Sequence, residues 1–358
     1  MDAARVESFA DEIFQAMIGF QKIAGIYLGG KLGFYQSLHD DGPATSVELA
    51  GRTATDERYV REWLEFQAVN GILEVDDAGL GPTERRFSIP PEHGAVLAEP
   101  ENPYYMASAG PILFGSIRPI DRIVDGYRTG AGVPYEDYGE DIVCGIAAFN
   151  RPTFVGSIGQ EWIPAMPDVD AALQKPGARV ADIGMGMAWS SIAIARAYPN
   201  ATVDGFDLDE HSVGLANDNI AKAGLSDRVT AHLRDAGDPE LSGQYDLACA
   251  FECIHDMSNP VAALASMRRL VGDRGAVFVA DERVQDTFTA PADEVEQMMY
   301  GFSVVHCLQV GRVETPSVAT GTVIRRSIME TYAREAGFSE IEELDIENPF
   351  YRFYRMRG

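Results

Sequence analysis

Apolar residues in the first forty positions recur near helical spacing: Phe9, Ile13, Phe14, Met17, Phe20, Ile23 and Ala24. The pattern predicts a helix over residues 8–38 with a wide apolar stripe. Gly19, Gly25, Gly29 and Gly30 punctuate it and would let another backbone approach closely. Thr45-Ser46-Val47-Glu48 has capping-box spacing and opens a short helix ending near Gly51. Another helix starts at Thr55-Asp56-Glu57, runs through Trp63 and Phe66, and stops at Asn70-Gly71. Residues 72–75 and 86–89 flank a turn at residues 77–81 and read as a short hairpin. Helix, turn, helix, hairpin is a winged-helix pattern.

Residues 100–170 are helical material broken by prolines (Pro103, Pro111, Pro119, Pro134, Pro152, Pro164, Pro167). Their aromatics Tyr104, Tyr105, Phe149, Phe154 and Trp162 are candidates to roof a crevice. From Gly177 onward the period changes, and strands alternate with helices. Strands are expected at 178–183, 201–207, 228–234, 245–251, 275–281, 338–345 and 350–356. Helices are expected at 189–198, 211–223, 258–271, 291–305 and 326–336. The last two strands follow one another too closely for a crossover helix, so they must be antiparallel. The expectation is an α/β protein: a seven-stranded Rossmann-like sheet behind an N-terminal, mainly helical winged-helix domain. Its divisions are a winged-helix dimerisation domain (1–99), a helical bridge lining the cleft (100–170) and a catalytic domain (171–358).

Composition narrows the partners. At 46% hydrophobic and 23% charged, the 358 residues have the balance of a soluble globular protein. A formal net charge of −26 makes the general field repulsive to nucleic acid and to anionic membranes. The second helix of the winged pattern sets Asp56, Glu57, Glu62 and Glu65 against Arg58 and Arg61, a poor face for phosphate. A dimerisation module therefore fits it better than a DNA reader, and the bare apolar helix before it favours a homodimer. The acidic N-terminal stretch has no signal-peptide pattern, and no run of about eighteen apolar residues occurs. Four scattered cysteines (Cys144, Cys249, Cys253, Cys307) suit free thiols in a reducing cytoplasm.

The chemistry concentrates at 180–188, Val-Ala-Asp-Ile-Gly-Met-Gly-Met-Ala. An apolar run ends in a glycine-bearing turn before a helix, and a second run closes on Asp207. Glycines there let backbone approach a nucleoside, and the second acid can accept both ribose hydroxyls. A dinucleotide fingerprint needs a third glycine where this chain has Trp189, which also crowds the helix N-terminus a pyrophosphate would use. S-adenosylmethionine carries no phosphate and needs only the turn, a ribose acceptor and an adenine slot. The turn resembles motif I of class I S-adenosylmethionine-dependent methyltransferases at Asp182, Gly184 and Gly186. Ala188 stands where that motif has its last glycine and is expected to tighten the methionine end of the pocket. Asp207 is assigned to the ribose and Leu208 to the adenine face. Asp235 and Ala236 are assigned to the adenine edge, and Phe251 to the loop beneath the methionine moiety.

The segment Phe251-Glu252-Cys253-Ile254-His255-Asp256-Met257 resembles the His-Asp segment of winged-helix small-molecule O-methyltransferases. That resemblance implies His255 as general base toward an acceptor hydroxyl, since an imidazole titrates near neutrality. Across most of the chain the order of elements resembles the actinobacterial members of that group. The apolar stretch 298–308 adds His306 as a second catalytic candidate. His255, Asp256 and His306 are also similar to the metal ligands of α-keto acid C-methyltransferases, although no metal is assigned. The leading expectation is O-methylation of a small, partly apolar metabolite. Carbon methylation beside a carbonyl, a non-methylating rearrangement and a ligand-sensing regulator stand as alternatives.

Overall fold

The first helix, α1 (Ala3–Lys31), begins at Asp2, whose carboxylate accepts the amides of Ala4 and Arg5. It does not run to residue 38. The chain turns at Gly33, which takes the left-handed conformation at φ +70°, and restarts as α2 (Phe34–Asp40). The capping box at Thr45 and Glu48 forms as the sequence predicts and opens α3 (Ser46–Thr53). Asp56 caps α4 (Glu57–Val69). The two-residue strands β1 (Glu74–Val75) and β2 (Phe87–Ser88) pair antiparallel as the wing, and α5 (Pro91–Leu97) follows.

These elements belong to one compact unit, Met1–Leu113, in a computed structural model that describes residues 1–358. Its core gathers Phe34, Tyr35, Leu49, Leu64, Trp63 and Phe87. The C-terminal half of α1 packs on that core through its glycines. A Cβ at Gly25 would lie 2.4 Å from Gln67 Nε2, and one at Gly29 would lie 2.5 Å from the Trp63 ring. Trp63 Nε1 donates to the Gly25 carbonyl at 2.9 Å, and the Tyr35 hydroxyl donates to Gln67 Oε1 at 2.6 Å. Gly19 and Gly30 meet nothing. The N-terminal half of α1 leaves Val6, Phe9, Ile13, Phe14, Met17 and Phe20 exposed.

The second unit is Phe114–Gly358, and the division falls inside α6 (Ala109–Ile117). Its helical leader comprises α7 (Ile120–Thr129), α8 (Glu140–Ser157) and α9 (Pro167–Leu173). The sheet is β3 (Arg179–Ile183), β4 (Thr202–Asp207), β5 (Val229–Leu233), β6 (Leu247–Phe251), β7 (Ala276–Glu282), β8 (Glu340–Leu344) and β9 (Tyr351–Arg357). The strand order is β5-β4-β3-β6-β7-β9-β8, parallel except for β9, which runs antiparallel to both neighbours. All seven strands stand where the alternation of apolar runs puts them. β6 and β7 are buried at every residue, as central strands covered on both faces must be. Trp162, Ile192, Val203, Phe278 and Phe353 belong to one apolar cluster of the sheet. Ile183, Leu264, Met267, Val277 and Met329 belong to the other. The crossover helices are α10 (Trp189–Ala197), α11 (Glu210–Lys222) and α12 (Pro260–Val271). Next, α13 (Glu294–Phe302) passes through a π-turn at Ser303–Cys307 into α14 (Leu308–Val310), and α15 (Arg326–Glu335) precedes β8.

Candidate active site

The strand order reverses at β3, which lies between β4 and β6, and ligands of such sheets bind beyond the carboxyl ends there. A cavity of about 770 Å³ occupies that place. Residues 184–187, 207–209, 235–237 and 251–253 line it from the strand ends. Pro134, Tyr135, Glu136, Val143, Ile146, Ala147, Asn150 and Phe154 line it from the helical leader. Met257, Ala262, Val310 and Val313 add to the apolar part, with Glu314 beside them in sequence.

The glycine turn is built by backbone geometry. Gly184 and Gly186 both take positive φ, +66° and +52°. A Cβ at Gly184 would lie 2.7 Å from Cys253 Sγ, so the position admits no side chain without displacement. Asp207 ties the turn to β4: its Oδ2 accepts the Gly186 amide at 2.8 Å and its Oδ1 the Asp209 amide at 2.9 Å. Burial raises the Asp207 pKa against the pull of those amides. Asp207, Leu208, Asp235, Ala236, Phe251, Gly184 and Gly186 all line the cavity.

Asp182 does not. It is buried, and its Oδ2 accepts hydrogen bonds from Ser190 Oγ and Ser191 Oγ, both at 2.6 Å. Burial raises its pKa to about 6 against those bonds. Asp182 therefore pins the start of α10 to the end of β3, and its contribution to a ligand is the position of the turn. Ala188 is also corrected. It is fully buried in the core beneath the turn, at φ +64°, and does not narrow the cavity. It occupies a left-handed conformation that a glycine would take freely.

The two histidines depart furthest from expectation. His255 is 2% exposed and does not line the cavity. Its Nδ1 is 2.6 Å from Asp281 Oδ1 and its Nε2 is 3.3 Å from Asp256 Oδ1. Burial pulls its pKa down, but the two carboxylates outweigh burial and hold it well above the ordinary histidine value. The ring is held between two acids, one at each nitrogen, and stands off the cavity wall. His306 is also 2% exposed and off the cavity wall, with Tyr135 and Tyr138 edge-on at 5.6 and 4.6 Å. Burial lowers its pKa. Nor does it converge with His255 and Asp256. Cys307 does instead, the three ligand atoms lying within 4.8 Å of one another.

Of the aromatics expected over the crevice, Phe154 lines the cavity and Trp162 lies in the core behind Phe251, 5.9 Å between ring centroids. Tyr104 is exposed, Tyr105 packs on the core of the first unit, and Tyr135 lines the cavity instead. Sequence reasoning also missed Glu252, Asn150 and Tyr351. Asn150 Nδ2 donates to Glu252 Oε2, and the Tyr351 hydroxyl lies 3.1 Å from Asn150 Oδ1 and 3.4 Å from Glu252 Oε2. No spacing signal connects three residues on a leader helix, a strand-end loop and the antiparallel strand.

The lining tests which cofactor fits. Seven carboxylates (Glu136, Asp207, Asp209, Asp235, Glu252, Asp256, Glu314) face it with one basic residue, Arg234, which is paired to Asp238 at 2.8 Å. A pyrophosphate would meet repulsion there, whereas a cationic nucleoside would not. Fold and cavity together define a protein of the S-adenosylmethionine-dependent methyltransferase class.

Comparison with known proteins agrees. Residues 174–335 match the methyltransferase domain family and residues 24–99 match the Rv2258c-like winged HTH domain. The two matches put a methyltransferase domain behind an N-terminal winged-helix domain in one chain. Methyltransferase GfsG of Streptomyces halstedii is 28% identical over 134 residues, covering 37% of this chain. The chain spans about half the length of that relative, 48%, and less of others. The structure of mitomycin 7-O-methyltransferase MmcR is similar over 100% of both chains, with TM-score 0.68 at 17% identity. Human N-acetylserotonin methyltransferase, solved in complex with S-adenosylmethionine, aligns with TM-score 0.68 at 15% identity, covering 100% of this chain and 98% of its own. No helix is long and apolar enough to cross a membrane.

Proposed function

We propose that the protein transfers a methyl group from S-adenosylmethionine to an oxygen of a small, partly apolar metabolite. The observation that carries this reading is one cavity whose lining falls into two chemical sets. Gly184, Gly186, Asp207, Leu208, Asp235, Ala236 and Phe251 would hold the cofactor, with Asp207 on the ribose hydroxyls. Tyr135, Val143, Ile146, Met257, Val310 and Val313 offer an apolar surface to the acceptor. The bound sulfonium supplies an electrophilic methyl carbon. The chain's part is to align the acceptor, exclude water and take up a proton, and alignment supplies most of the acceleration. The bridge at residues 100–170 is proposed to contribute to the cleft through its part from Pro134 to Phe154. Calorimetry tests the cofactor assignment. S-adenosylhomocysteine should bind, and Asp207→Ala should weaken it by roughly 1–3 kcal/mol, the range for a lost charged hydrogen-bond partner. NAD binding without a response to S-adenosylhomocysteine sinks the reading.

A second reading, carbon methylation beside a carbonyl with a bound metal, draws on the convergence of His255, Asp256 and Cys307. The metal would replace the proton at Nε2, while Asp281 on Nδ1 is the carboxylate partner that metal-ligating histidines usually have. Methyl transfer that survives a chelator removes this reading.

The assembly proposed is a homodimer, supported by the exposed apolar side chains of α1 from Val6 to Phe20. A cytoplasmic setting is proposed from four cysteines that form no disulfide with one another.

A further inference from the structure

We propose that Glu252, in place of His255, takes the proton from the acceptor. The inference rests on the methyl-transfer reading above. Glu252 stands at the end of β6 and lines the cavity, where His255 does not. One of its oxygens is committed: Oε2 receives both Asn150 Nδ2 and the Tyr351 hydroxyl. Oε1 accepts no hydrogen bond from the protein, so one oxygen of the carboxylate is committed and the other is not. Its backbone is left-handed at φ +55°, one of four non-glycine residues in the chain with positive φ. Strain of that kind costs on the order of 1–2 kcal/mol and persists where surrounding contacts impose a side-chain direction.

The neighbours explain why this carboxylate is available. Asp256 also lines the cavity but is the counter-ion of His255 at Nε2. Asp281, from β7, is the counter-ion at Nδ1. Glu282, also from β7, is buried with an unpartnered Oε2, and burial followed by the Glu252 charge raises its pKa well above the carboxylate range. Of these two acids only Glu252 lines the cavity, so it is the one an acceptor can reach. Burial raises Glu252 to about 7 against the opposing pull of His255 and Asn150. A base titrating there is both ionised and strong enough to accept a proton near neutral pH.

The step balances. The acceptor oxygen's lone pair forms the C–O bond, the methyl–sulfur electron pair stays on sulfur, and the hydroxyl proton goes to Oε1 of Glu252. The resulting acid later gives that proton to water.

The test is difference infrared titration of the S-adenosylhomocysteine complex, comparing wild type with Glu252→Gln. Expected is a protonated-carboxyl band that appears as pH falls through about 7 in wild type and is missing in the variant. Inhibitor affinity by calorimetry should agree within about twofold, since the inhibitor has no proton to give. Identical carboxyl titrations in the two proteins overturn the assignment. With an acceptor in hand from a labelled-cofactor screen, Glu252→Gln should lose about 10²–10⁴ in turnover and the acid limb of the pH profile. Full turnover with an unchanged profile overturns it as well. Wild type that fails to bind S-adenosylhomocysteine would instead remove the methyl-transfer reading itself.

Discussion

The two units handle polar groups in opposite ways. In Met1–Leu113 the buried hydrogen bonds join neutral groups, Tyr35 with Gln67 and Trp63 with the Gly25 carbonyl, while Gln67 Nε2 and Ser108 Oγ are left without a partner. Its ion pairs, such as Arg58 with Glu62 and Arg86 with Glu48, are exposed. In Phe114–Gly358 charge goes inside: Asp182, His255, Asp281, Glu282 and Glu296 are all buried. Most of them stand at the carboxyl ends of β3, β6 and β7, behind the residues that line the cavity. Buried ionisable groups are weak devices for stability and common where chemistry occurs. The first unit instead leaves apolar surface exposed on α1.

The sharpest way to break this comparison is His255→Ala. Removing the cation leaves Asp256 and Asp281 facing one another without a counter-ion, and loss of one partner of a buried pair costs about 3–5 kcal/mol. Urea denaturation should register that loss in the second unit. A variant of wild-type stability that merely turns over more slowly would return His255 to the role of a simple base.

Solution pH sharpens the same contrast with a smaller effect. The His255 pKa is raised on folding, so its contribution is fully present below about 6.5 and is lost as pH rises through the folded value. Glu252 also binds its proton more tightly when folded, so its contribution falls between about 4.5 and about 7. Both act in one direction. The melting temperature should be higher at pH 6 than at pH 8.5. A stability that rises over that interval would contradict both shifts.

The smallest stability effect is expected on α1. Phe14→Asp changes an exposed residue, so monomer stability should move by less than about 0.5 kcal/mol. Light scattering should nevertheless report a dimer for wild type and a monomer for the variant. A wild-type monomer at micromolar concentration would leave the exposed stripe without the proposed partner.

The strands, the glycine turn and Asp207 were legible in the chain because each is a local signal. A strand buried on both faces must be a continuous apolar run, and a tight turn beside a ligand must carry glycine. The capping box at Thr45 and Glu48 and the close spacing of the last two strands were local in the same sense. The resemblance at 251–257 added a role for His255 that the local signals did not contain. Tertiary structure decided which side chains reach the cavity. Asp182 and Gly184 lie two residues apart, yet one holds a helix start and the other lines the crevice. Glu252 is separated from Asn150 by 102 residues and from Tyr351 by 99, so their network has no spacing to read. Burial and the facing charges also set which groups carry protons. Desolvation and Coulomb energies depend on distances in the folded chain, and a sequence fixes those only through the whole fold.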